Sequence, residues 1–187
     1  GVLAGLGMKI GGRDFRTIWL ADDSEAVVII DQTRLPHVFE TVTLHTAEDA
    51  IRAIADMQVR GAPLIGATAA YGIALAMASD PSDAMLRQAH DGLLQSRPTA
   101  VNLRWALERM KNLLLPLPQH QRRAAAYAEA ATIADEDVDV CSRLGDHGAQ
   151  LIRGTWQRLG RSRPVNILTH CNAGWLATVD WGTALSP

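Results

Sequence analysis

The spacing of apolar and polar positions divides the chain into a strand-like start and a long helical remainder. Residues 16–20 (RTIWL) and 26–31 (AVVIID) are short β-rich runs separated by the polar stretch 21–25 (ADDSE), which is a hairpin pattern. After QTRLP, residues 38–44 (VFETVTL) mix Val, Phe and Thr in alternation and read as a third strand. A small antiparallel sheet is predicted.

From Thr46 the period becomes helical. Thr46 with Asp49 three residues on resembles a capping box, and Ile51, Ile54, Ala55 and Met57 recur at helical spacing to about Val59. Residues 60–63 (RGAP) break that helix. The following stretch, 61–79 (GAPLIGATAAYGIALAMAS), carries no charge and approaches the length of a membrane span. Its Ala, Gly, Thr and Ser content, with Pro63 near the start, predicts instead a closely packed buried helix. Further helices are predicted over 84–94, from the Arg97-Pro98-Thr99 opening to about Leu115, and over 121–156. Gly145 and Gly148 either interrupt the last of these or let something pack closely against it.

A loop at 160–164 (GRSRP) leads to 165–169 (VNILT), a buried-strand pattern, and one strand after many helices suggests the start of a second, α/β domain. The expected organisation is thus α+β followed by α/β. Residues 1–7 are an upstream extension or remnant, 8–160 a sheet-and-helix domain, and 161–187 the first strand and helix start of an incomplete Rossmann-like domain. That lone strand exposes ladder groups and apolar side chains that need a cover.

Composition narrows the function classes. The 187 residues are 48% hydrophobic and 20% charged, which excludes disordered and collagen-like chains. A net charge of -2 offers no broad basic surface, so nucleic acid is not an expected partner, and neither is a membrane. Two cysteines, Cys141 and Cys171, make no disulfide framework and have no CxxC or histidine spacing for a metal. No metal is expected, and a reducing, cytoplasmic setting is the default.

Three segments carry candidate chemistry. Arg60 stands before a proline-started helix, with Gly61 where backbone must come close to something; a helix start and a guanidinium together suit a phosphate or carboxylate. A helix–helix turn with a solvated arginine is the alternative. Arg97 before Pro98 repeats the device, with exposed punctuation as its alternative. Cys171, in THCNAG at the C-terminal end of the expected strand, sits where open α/β sheets build their sites, although most such cysteines are packing residues. His170 points away from its neighbour on a strand and is read as structural or secondary. Glu136, Asp137 and Asp139 read as a solvated helix face.

Taken together, DQTRLP, VRGAPLIGATAAYG, RPTAVNL, GDHG and ILTHCNAGWLATVDWGTAL, in this order, resemble the 5-methylthioribose-1-phosphate isomerase family, related to regulatory subunits of translation initiation factor 2B. The resemblance implies a two-domain fold with a Rossmann-like second half, a homodimer, and a cofactor-free aldose–ketose isomerase of methionine salvage. It implies that Arg60, Gly61, Ala62 and Arg97 bind the sugar phosphate and that Cys171 is catalytic. The family's catalytic aspartate and further substrate contacts would fall beyond Pro187, so a fragment is expected. Trp175 and the 179–181 run (VDW) depart from the smaller residues usual there. A ribose-1,5-bisphosphate isomerase is the rival on the same scaffold, and a non-catalytic sugar-phosphate-sensing or assembly module the rival of another class.

Overall fold

Two hydrogen bonds at Thr46 set the boundary between sheet and helices. Its hydroxyl accepts from the Asp49 N–H at 3.1 Å and the Asp49 carboxylate accepts from the Thr46 N–H at 3.0 Å, the reciprocal cap expected from the sequence. The computed structural model describes residues 8–187; the segment 1–7, expected to be an extension, lies outside the described residues.

Among the described residues, five short strands lie before the cap. β1 (Lys9–Ile10) and β2 (Arg13–Asp14) form a hairpin too short to leave a hydrophobic period in the sequence. β3 (Ile18–Leu20), β4 (Val27–Ile30) and β5 (Thr41–Leu44) form the predicted antiparallel sheet, with β4 central and Trp19 opposite Val28 opposite Thr43. The third strand starts later than expected. Val38 instead bonds back to the Arg34 carbonyl at 3.0 Å, which leaves Val38 and Phe39 on the surface.

After the cap come α1 (Ala47–Ala55), α2 (Ala62–Ser79), α3 (Asp83–Ser96), α4 (Val101–Leu114) and α5 (Gln119–Arg158). α2 is the hub: it is apolar on every face, and α1, α3, α4 and α5 all pack on it. It is long and apolar enough to cross a membrane, but 78% of it is buried inside the protein. Its small residues let neighbours approach closely, while Leu64, Ile73 and Met77 fill the remaining space, each contributing roughly 1.5–3 kcal/mol by leaving water.

α4 and α5 refine the sequence expectation. α4 begins at Val101 with Ala100 as its cap, so Arg97-Pro98 does not open it; Arg97 closes α3, and its carbonyl accepts from the Ala100 N–H at 3.0 Å. α5 runs 40 residues without interruption at Gly145 or Gly148. Those glycines instead receive the end of the chain, because a Cβ at Gly145 would lie 2.5 Å from the Ser186 hydroxyl and one at Gly148 would lie 2.2 Å from Pro187.

The expected strand at 165–169 is not formed. The segment is extended but belongs to no ladder, and Leu168 is 99% exposed. A strand exists only through its neighbours, and among the described residues none lies beside it. In place of the expected helix start there is a single 3-10 turn, Trp175–Ala177. Beyond that turn the chain returns to the sheet-and-helix core. The Thr17 N–H donates to the Val179 carbonyl at 3.0 Å, the Thr17 hydroxyl donates to the Thr178 carbonyl at 2.6 Å, and Val179 is fully buried.

Candidate active site

The connection between α1 and α2 is built by its backbone. Met57 takes a positive φ of 60°, the Val59 N–H bonds back to the Ala53 carbonyl, and Val59 drops into the core. Arg60 is left on the surface immediately before the start of α2. Gly61 has φ 101°, a conformation L side chains avoid, and α2 then opens with Ala62 and Pro63. No side chain caps α2 and no acidic residue lies in its first turn. Its first N–H groups and the Arg60 guanidinium therefore make a positive end, with no ion pair to Arg60 among the described residues.

Across from it lies the cysteine loop. Cys171 is exposed and holds φ 69°, a left-handed conformation that costs a non-glycine residue of order 1 kcal/mol or more. Ala173 is buried, and its carbonyl accepts from the Thr183 N–H at 2.9 Å and the Leu185 N–H at 3.3 Å. The loop is thus pinned behind Cys171 while the thiol faces outward.

Arg60 and this loop meet across an open cleft of about 470 Å³ lined by Gln32, Leu35, Pro36, Arg60, Asn172 and Leu176. Cys171 precedes the lining residue Asn172 in sequence. Gly61 lies behind the same wall, since the 3-10 turn packs directly on its backbone. Ala62 is exposed at the helix start. Arg97 is half-buried at the end of α3 and does not line the cleft. Of the expected site residues, Arg60 lines the cleft opposite Asn172 of the cysteine loop and Gly61 packs against the turn that follows it.

The two thiols differ sharply. Burial, reinforced by the neighbouring Asp137 carboxylate, pushes Cys141 up to about 12 and makes it a poor nucleophile. Cys171 is the accessible thiol. His170 is exposed, and no group of residues suited to a metal occurs among the described residues.

Gln32, in the cleft wall, was not singled out from the sequence. The Gln32 carboxamide donates to the Leu176 carbonyl at 2.7 Å, and the Gln32 N–H donates to the Gln58 carbonyl at 2.9 Å. Asp137 is a correction: it is not solvated but half-buried, accepting from the Val179 N–H at 2.7 Å and from the Cys141 thiol. Its neighbours Glu136 and Asp139 do face solvent, paired with Arg109 and Arg143. The signal was the four-residue spacing from Asp137 to the buried Cys141, which puts both on one helix face.

Comparison with known proteins accords with this geometry. The model of the "Initiation factor 2 subunit family" matches residues 58–181, which contain both walls from Arg60 to the cysteine loop. Methylthioribose-1-phosphate isomerase of Paramagnetospirillum magneticum is 60% identical over 180 residues, covering 96% of this chain and 49% of that protein. The enzyme of the same name from Methylocella silvestris is 55% identical over the same length, with 96% and 49% covered. Among solved structures, 5-methylthioribose 1-phosphate isomerase from Pyrococcus horikoshii superposes with TM-score 0.77 at 38% identity, covering 92% of this chain and 48% of that one. Translation initiation factor eIF-2B, subunit delta, from A. fulgidus gives TM-score 0.76 at 38% identity, with 92% and 49% covered. The chain spans about half the length of the curated relatives it matches. With two thirds of its own length matched by the family model and the fold shared with two solved members, the chain belongs to the initiation factor 2 subunit family.

Proposed function

We propose that this chain is part of a methylthioribose-1-phosphate isomerase, an aldose–ketose isomerase of methionine salvage. The observation that carries the reading is the cleft that sets Arg60 and the start of α2 against the cysteine loop, in a chain 60% identical to an enzyme of that name. Arg60, Gly61 and Ala62 hold the phosphate through the guanidinium and the free backbone N–H groups. Arg97 belongs to the same substrate set through the family resemblance.

The phosphate on C1 locks the sugar as a closed acetal, so a general acid must first open the ring. Hydrogen then moves from C2 to C1, which turns the aldose into the ketose, and a positioned acid–base group supports that transfer. Cys171, the exposed thiol beside the cleft-lining Asn172 in sequence, is the residue assigned to this work. The partner group lies in the other half of the site, on a Rossmann-like domain that residues 161–187 begin, in a cytoplasmic homodimer. The cleft supports a methylthio sugar over a bisphosphate: it pairs one arginine with the apolar Leu35, Pro36 and Leu176, a better lining for a thioether than for a second phosphate.

The test is a phosphorus NMR assay of this chain mixed with a separately produced second half of the Paramagnetospirillum magneticum relative. Turnover of 5-methylthioribose 1-phosphate that disappears in Cys171→Ala supports the reading. Turnover of ribose 1,5-bisphosphate alone, or full turnover by Cys171→Ala, sinks it.

A further inference from the structure

The two walls of the cleft come from distant parts of the chain, and their spacing needs a tie. The segment after Cys171 is held by Thr17 and by Asp137, neither of which lines the cleft. Gln32 is placed differently. It lines the cleft, it is 8% exposed, and it is bonded to both walls at once.

On one side the Gln32 N–H donates to the carbonyl of Gln58, two residues before Arg60. The Gln58 side chain in turn donates to Asp31 at 3.1 Å, so the pair 31–32 grips the approach to α2 at two points. Asp31 is itself fixed by the Thr33 hydroxyl at 2.6 Å. On the other side, the Gln32 carboxamide donates to the Leu176 carbonyl at 2.7 Å, inside the 3-10 turn that follows the cysteine loop.

We propose that Gln32 is a positioning residue that sets the separation between the Arg60 wall and the Cys171 loop. The inference rests on the reading of the cleft as a sugar-phosphate site and adds to it the residue that fixes its width. A carboxamide suits the task, because it supplies a neutral donor at the length required. The substitution Gln32→Glu would set a carboxylate against the Leu176 carbonyl, and Gln32→Met would leave that carbonyl without its donor.

Alkylation of Cys171 by iodoacetamide reports the loop's position in this chain without requiring turnover, because Cys141 is buried. The Gln32→Met variant, with Gln32→Glu as a second, is expected to change the Cys171 rate by about threefold or more under conditions where circular dichroism shows a folded chain. Thr17→Val, which loses a bond to the same segment away from the cleft, is expected to change it by less. A smaller change in both Gln32 variants, or an equal change in Thr17→Val, overturns the proposal. Protection of Cys171 by inorganic phosphate, lost in Arg60→Ala, checks the reading beneath it. Absent protection in the parent chain would remove the anion site, while the Gln32 rates would still decide whether Gln32 holds the loop.

Discussion

Gly61 and Ala177 are packed backbone to backbone: a Cβ at Gly61 would stand 2.5 Å from the Ala177 Cα and 2.5 Å from its carbonyl oxygen. That contact joins the start of α2 to the turn that follows the cysteine loop. It also explains why glycine follows the arginine, since φ 101° and the lack of room both exclude a side chain.

Gly61→Ala is therefore expected to destabilise the chain by roughly 2–5 kcal/mol, from backbone strain plus overpacking. Because the clash is with the Ala177 backbone, adding Ala177→Gly should not restore stability. Urea unfolding of the single and double variants measures this; recovery in the double variant would show that only the Ala177 methyl matters.

Asp137 predicts a pH dependence. Burial raises its carboxyl above the usual range, outweighing the Val179 N–H and the Cys141 thiol, which favour the charged form. The folded state thus holds this proton more tightly than the unfolded chain, so its contribution to stability falls as pH rises from about 4 through the raised value. Asp137→Asn keeps an oxygen for the Val179 N–H, removes that slope, and should be at least as stable as the parent near neutral pH. Asp137→Leu removes the acceptor and should cost about 1–3 kcal/mol. Denaturation at several pH values separates the two; a parent slope of the opposite sign would contradict the assignment.

Arg122 is almost wholly buried and donates to the carbonyls of Pro81 at 3.0 Å, Leu115 at 3.1 Å and Leu117 at 3.0 Å, and to Asp83 at 2.6 Å. One guanidinium thus ties the start of α3 and the end of α4 to α5. Arg122→Met should cost roughly 3 kcal/mol, and Arg122→Lys should recover little, since an ammonium lacks the fork that reaches these acceptors. Thermal melts of both variants provide the check, and near-parental stability of the lysine variant would argue against a geometric role.

The two thiols should separate cleanly. One equivalent of thiol reagent is expected to react with the folded chain at Cys171 and the second only on unfolding, as burial holds Cys141 back. Mass mapping of the modified chain decides it; equal labelling of both would show that α5 opens near Cys141.

What the sequence determined by itself is local. The Thr46–Asp49 cap, the 16–31 hairpin and the burial of α2 were legible because each depends on groups a few residues apart or on one uninterrupted apolar run. Arg60 and Cys171 were singled out through their motifs, and the structure puts Arg60 in a cleft wall opposite Asn172, the residue after Cys171. Tertiary structure decided what depends on encounters between distant segments. It left 165–169 without a ladder, since a strand is defined by its neighbours and not by its own pattern. It made Arg97 the end of α3 and not the opening of α4, which starts at Val101. It turned Asp137 inward toward Val179 and made Gln32 a bridge to Leu176, contacts no helical or strand period records. Periodicity specifies which face of an element is buried, whereas the identity of the group met there is set only when the elements pack.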